Sequence, residues 1–238
     1  MIRVFADAEE LAQGAAAFFA EEVSRATAAR GRASVLLAGG ETPRRTYALL
    51  AEEPFRATLP WGKIHFFWGD ERCVPADDPR SNQQMARASL LDRVPVPSAH
   101  IHAIACAEDP EEAAAAYQRE LERYFADAPP VFDLVFLGLG TDGHTASLFP
   151  GAAALAEQTR WTAVVQRPGA AFPRITLTLT LLNQARRLLF LVAGESKAAI
   201  WAEIVRGVPA SGPLYPAQRV QPHNGQLSWF ADCAAAGC

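Results

Sequence analysis

Apolar and polar positions alternate along this chain in two rhythms, one helical and one of short continuous runs. Residues 9–30 carry Ala, Leu and Phe at helical spacing among glutamates, and Gly31 ends that run, which predicts a first helix. Ala33 to Ala38 is a continuous apolar run closed by Gly39-Gly40 and reads as a buried strand. Thr42-Pro43 then suits a helix start, Thr as cap and Pro in the first turn, with the helix over 44–53. Ile64 to Trp68 predicts a second buried strand, a polar loop follows, and Ser81 is placed to cap a helix over 82–92. A Pro-rich link at 95–97 and an apolar run at 101–104 lead to a long helix over 109–126.

The second half repeats the scheme. Phe132 to Leu137 is the clearest strand, 161–165 and 175–179 read as strands, and 188–192 is another buried one. A helix is expected from about 197 to 206 and a final edge strand at 226–230. Strands that are apolar on both faces and alternate with helices predict an α/β fold, a mostly parallel sheet flanked by helices on both faces. With no repeat or long linker, the 238 residues are expected to form a single catalytic domain. In such sheets ligands bind beyond the carboxyl ends of the strands, so four loops are expected to converge: 38–43, 69–82, 138–145 and 194–197.

Composition narrows the choice of partner. The net charge of −4 argues against nucleic acid, which needs a basic face, but leaves room for a small anion held by a few local cations. No run of ~18 uncharged apolar residues exists, so no membrane span is expected. The N-terminus runs quickly into acidic residues, unlike a signal peptide. Cys73, Cys106, Cys233 and Cys238 form no C-x-x-C pair and have no His cluster at zinc spacing. They read as free thiols in a reducing compartment, and a cytoplasmic setting follows by default.

The loops carry the candidate chemistry. Gly39-Gly40 lets backbone amides approach an anion at the positive end of a helix; a plain tight turn is the other reading. Glu41 is a poor neighbour for a phosphate and should point away. Arg72 offers a planar fork suited to phosphate, with Asp70 and Glu71 to tune or orient it, and a surface ion-pair cluster is the alternative. Lys197 at a helix start is a natural counter-charge, or a solvated lysine.

The loop 138–144 formally matches both a dinucleotide fingerprint and a P-loop. It lacks the ribose-binding acid of the first and the lysine of the second, where His144 stands instead. Its content is Asp142-x-His144: histidine suits proton transfer near neutral pH, and an acid two residues away can fix its tautomer. Ser147 lies nearby, but no G-x-S-x-G elbow presents it as a nucleophile. His100 and His102 lack a third ligand in the sequence, so no metal is expected there.

Together these segments resemble the 6-phosphogluconolactonase family of the soluble type. The likeness is carried by Leu137 through Gly151, the Gly-Gly-x-Thr-Pro loop at 39–43, Asp70-Glu71-Arg72 with Val74-Pro75, and Ser81-Asn82. Arg174 through Thr178, Lys197-Ala198, Trp229 and Asp232 continue it, so it spans nearly the whole chain. Glu41 departs from it, since many relatives carry a small residue there.

The resemblance implies a fold shared with glucosamine-6-phosphate deaminases, ribose-5-phosphate isomerases and CoA transferases. It implies hydrolysis of 6-phosphoglucono-1,5-lactone in the oxidative pentose phosphate pathway, with no metal and no cofactor. On this reading His144 is the base and Asp142 orients it. Gly39, Gly40, Thr42, Asp70, Arg72, Asn82, Gly140, Gly143 and Lys197 contact substrate, and backbone amides of 138–145 stabilise an oxyanion. Monomer and homodimer both stay open. An amino-sugar-phosphate deaminase on the same scaffold is the rival, but deaminases carry a Glu shortly after the loop His and an aromatic residue after Asp-Glu. This chain has Leu148-Phe149-Pro150 and Arg72 at those places. A non-catalytic sugar-phosphate sensor would need neither Asp142 nor His144.

Overall fold

The computed structural model describes residues 1–106, 109–126, 128–207 and 213–238. In chain order, the first half runs β1 (Ile2–Phe5), α1 (Ala8–Arg30), β2 (Ala33–Leu37), α2 (Glu41–Leu50), α3 (Phe55–Thr58), β3 (Ile64–Trp68), β4 (Asp70–Arg72), α4 (Asn82–Ala86), β5 (Ile101–His102) and α5 (Pro110–Tyr124). The second half runs β6 (Leu134–Gly138), β7 (Thr162–Val165), β8 (Arg174–Leu177), α6 (Leu179–Leu182), β9 (Arg187–Val192), α7 (Ala198–Arg206), β10 (Gln226–Asp232) and α8 (Cys233–Ala236).

Seven strands form one parallel sheet in the order β1-β10-β9-β6-β2-β3-β5. The chain builds outward from β2 through β3 to β5, then restarts on the other side of β2 with β6. Between β2 and β6 the strand order reverses, and a crevice opens there at the carboxyl ends. The loops that follow these two strands are 38–40 and 138–144.

Local chemistry explains the elements. Asp7 caps α1 by accepting from the Glu10 amide at 2.8 Å, and Gly31, with φ of 76°, ends it in the left-handed conformation. Leu11, Ala15, Phe19, Val23 and Ala26 form the buried face of α1 at spacings of three and four. Phe19 lies against Phe66 of β3 and Phe136 of β6, ring centroids 6.4 and 6.2 Å apart, so one helix residue ties two strands. Truncating such a side chain to Ala costs about 3–5 kcal/mol. All five residues of β2 are buried, as a strand covered on both faces requires. Ser81 caps α4 through the Gln84 amide, as its sequence position suggested.

Three expectations are corrected. The strand at 226–230 is not an edge: β10 lies between β9 and β1, and the short, largely exposed β1 takes the edge. The strands β7 and β8 do not join the parallel sheet; they pair antiparallel with β4 in a separate three-stranded sheet beside the cleft. Both strands are largely buried, including Thr162 and Thr176.

The cysteines are not free thiols. Cys73 pairs with Cys106 and Cys233 with Cys238, Cα atoms 4.9 Å apart in both pairs. Spacing gave no sign of the first pair, because the partners lie 33 residues apart and only the fold brings them together. No helix among the described residues is long and apolar enough to cross a membrane.

Candidate active site

The crevice at the switch between β2 and β6 is an open cleft of about 650 Å³. Two buried tyrosines fix its floor. Tyr47 of α2 places its hydroxyl on both polar groups of Ala38, accepting from the amide at 2.9 Å and donating to the carbonyl at 3.0 Å. Tyr117 of α5 does the same for Trp68, at 3.0 Å each way. Both strand ends therefore have satisfied backbone groups where the ladder stops. Burial pushes both phenols up, so they stay neutral.

Gly39 and Gly40 line the cleft. A Cβ on Gly39 would stand 1.9 Å from Asn82 Oδ1, so glycine there is a packing requirement. Gly40 has φ of 111°, which favours glycine. It is the N-cap of α2 and makes no side-chain cap bond. The helix begins at Glu41, earlier than the sequence suggested, which puts Thr42 in its first turn; Thr42 neither caps the helix nor lines the cleft. Glu41 points to solvent and pairs with Arg44 at 3.3 Å, away from any anion at the glycines.

The loop after β3 is organised by its two acids. The Glu71 carboxylate is buried at the start of α4 and accepts from the amides of Arg72, Asn82 and Gln83 and from Ser81 Oγ, all within 2.9 Å. Burial raises its pKa, and these four hydrogen bonds oppose that rise. Asn82 donates to the Asp70 carbonyl at 2.9 Å and to Asp70 Oδ1 at 3.3 Å. Arg72 lines the cleft and donates through Nη1 to the Arg80 carbonyl at 2.5 Å. Asp70 borders the cleft, but its oxygens are engaged by protein donors, the second by Ser147 Oγ at 2.5 Å.

On the other lip, the loop after β6 folds on itself: the Gly140 amide donates to the His144 carbonyl at 2.8 Å and the Gly143 amide to the Gly140 carbonyl at 3.0 Å. This turns His144 into the cleft. Its Nδ1 is hydrogen-bonded to Asp142 Oδ1, and its amide donates to the same oxygen at 3.2 Å. Burial works to raise the Asp142 pKa, but the hydrogen bond and charge of His144 outweigh it and hold it below the usual range. Asp142 is thus an ionised partner standing behind the ring, not in the cleft lining. Gly140 lines the cleft; a Cβ there would stand 1.9 Å from His144 Nδ1. Gly143, with φ of 77°, faces Tyr215 behind the loop instead.

Ser147 is fully buried and serves Asp70, so it is no nucleophile. Ala146, in the cleft lining, has φ of 48°, a strained conformation for a residue with a Cβ.

Lys197 enters from the fourth loop. Asp232, at the end of β10, accepts from the Gly194 amide at 3.0 and 3.1 Å and so fixes the turn that carries the lysine. Arg174, at the start of β8, is a cleft residue that loop reasoning missed. Its signal was a cation opening an apolar strand, Arg-Ile-Thr-Leu. Arg72 and Arg174 each keep a buried guanidinium Nε without a protein partner. Among the described residues, three cations, Arg72, Arg174 and Lys197, thus border one cleft against the single carboxylate of Asp70.

Away from the cleft, His100 and His102 are joined by His65: His65 Nδ1 lies 3.1 Å from His102 Nε2, whose ring bonds Glu120 at 2.8 Å. Among the described residues no group of three or more His, Cys, Asp or Glu is arranged to hold a metal ion.

Fold and cleft define a class: a parallel α/β protein with a crevice bordered by cations and an acid–imidazole pair at its topological switch point. The chain belongs to the glucosamine-6-phosphate isomerase/6-phosphogluconolactonase family, whose model matches residues 6–229. It is 47% identical over 215 residues to a 6-phosphogluconolactonase of Synechocystis, covering 88% of this chain and 86% of that one. It superposes on 6-phosphogluconolactonase from Trypanosoma brucei with a TM-score of 0.84 and 30% identity, covering 100% and 97% of the two chains. A monomeric glucosamine-6-phosphate deaminase shares the fold, with a TM-score of 0.82 at 22% identity over 99% and 98% of the two chains.

Proposed function

We propose that this chain hydrolyses 6-phosphoglucono-1,5-lactone to 6-phosphogluconate, the lactone-opening step of the oxidative pentose phosphate pathway. The observation that carries the reading is one cleft with Arg72, Arg174 and Lys197 at its border and His144, backed by ionised Asp142, in its wall. A phosphorylated sugar lactone needs both halves: cations and glycine amides for the phosphate, a base for the water.

With Asp142 holding Nδ1–H, the Nε2 lone pair of His144 takes a proton from water as the water oxygen bonds to the lactone carbonyl carbon. The tetrahedral oxyanion collapses, the bond to the ring oxygen breaks, and that oxygen takes the proton back from Nε2. General base catalysis of this kind contributes about 10²–10⁴-fold. The amides of Gly140, Gly143 and His144 are engaged within the loop, so oxyanion donation comes from other donors around the cleft. Asp70 and Asn82 shape the anion side through each other, and Gly143 supports the loop from behind. The deaminase reading lacks its second carboxylate, because buried Leu148 and Phe149 occupy that stretch. A cytoplasmic setting is part of this proposal and no longer draws support from the cysteines.

The test is a rapid assay on freshly made 6-phospholactone, corrected for spontaneous opening. His144→Asn is expected to lose at least about a hundredfold in kcat while still binding 6-phosphogluconate. Arg72→Ala is expected to raise KM. Turnover by His144→Asn within threefold of the parent would remove the base, and ammonia release from glucosamine 6-phosphate would favour the deaminase.

A further inference from the structure

The Asp142–His144 pair uses one carboxylate oxygen. Oδ1 takes the His144 ring and amide, while Oδ2 is faced by Arg167, whose Nη2 lies 3.8 Å away. Arg167 belongs to the loop between β7 and β8, outside the cleft lining. Its guanidinium also stands 4.4 Å from the ring centroid of Phe149. Phe149 is the ring against which His144 packs, centroids 4.4 Å apart. One side chain therefore reaches both the partner and the support of the imidazole.

We propose that Arg167 is a positioning residue for the Asp142–His144 pair, holding the carboxylate turned toward the imidazole. This rests on the reading of His144 as the base. The planar guanidinium suits both contacts, a carboxylate oxygen at its edge and an aromatic ring near its centre. Without it, Asp142 is free to rotate toward solvent, and the imidazole loses the partner that fixes its tautomer and orientation.

Among the described residues, the other charged groups facing His144 are Asp142 from its own loop, Arg174 from β8, 5.4 Å from the Phe149 centroid, and Arg72 and Lys197 across the cleft, with Asp70 beside Arg174. Of these, only Asp142 is in contact with Arg167.

The experiment compares kcat and KM across pH for the parent, Arg167→Gln, Arg167→Lys and His144→Asn. Arg167→Gln removes the charge and the planar fork. Its kcat is expected to fall severalfold while KM stays within twofold. Arg167→Lys, which keeps the charge, returns kcat toward the parent's. An unchanged kcat in a folded Arg167→Gln protein, whether KM rises or not, overturns the proposal. An active His144→Asn instead overturns the base reading, so the two failures are told apart.

Discussion

Ser147 donates its hydroxyl hydrogen to Asp70 at 2.5 Å, across 77 residues of sequence. The contact joins the loop that carries His144 to the strand that carries Arg72, with Arg174 Nη1 4.0 Å from the same carboxylate oxygen. The wall that carries His144 and the wall that carries Arg72 are thereby held as one unit.

Ser147→Ala removes that donor from a buried carboxylate. The expected cost is about 1–3 kcal/mol of stability, read by urea unfolding, with turnover retained within tenfold. Complete loss of turnover in a normally folded Ser147→Ala protein would make the serine a participant in the chemistry.

Tyr47→Phe leaves the Ala38 amide and carbonyl without their partner under the first glycine loop. Stability is expected to fall by about 1–3 kcal/mol. Faster hydrogen exchange at Ala38 and Gly39 is expected alongside. Unchanged exchange would show that the hydroxyl does not hold the strand end.

Gly140→Ala puts a methyl where the His144 ring now packs. The glycine's backbone is not in the left-handed region, so the fold should survive while the imidazole is displaced. The expected result is loss of kcat with 6-phosphogluconate binding preserved by calorimetry. Parent-like kcat would mean that the ring does not need this approach.

The cluster of His65, His100 and His102 predicts acid sensitivity. Burial, then the neighbouring imidazoles and Arg32, lowers His65 to about 4, and burial lowers His102 against the pull of Glu120. A histidine whose folded pKa is depressed binds its proton more readily when unfolded. Its stabilising effect is therefore present above pH ~6.5 and is lost as pH falls from there toward the folded value, by at most ~1.4 kcal/mol per pH unit per proton. Urea midpoints between pH 7.5 and 5 should fall less for His65→Gln than for the parent. Equal falls would place the sensitivity elsewhere.

Much was legible in the linear pattern because strand burial and helix capping are local. The apolar runs at 33–38, 64–68, 132–137 and 188–192 mark four central strands, and Gly31 and Ser81 mark helix ends through their own backbone and side-chain bonding. The loop glycines and the Asp142-x-His144 spacing pointed to the cleft for the same reason: two residues apart on a tight loop, carboxylate and imidazole have little choice but to meet.

What the sequence by itself determined was the four central buried strands, their parallel α/β arrangement and the nearness of Asp142 to His144. Only the tertiary structure decided that β10 is interior, that Cys73 meets Cys106, that Thr42 and Gly143 stay outside the cleft, and that Arg174 and Arg167 approach it. The physical reason is range. Turn geometry, capping and side-chain period act over a few residues, whereas strand order and the approach of separate loops are set by which faces the whole chain can bury together.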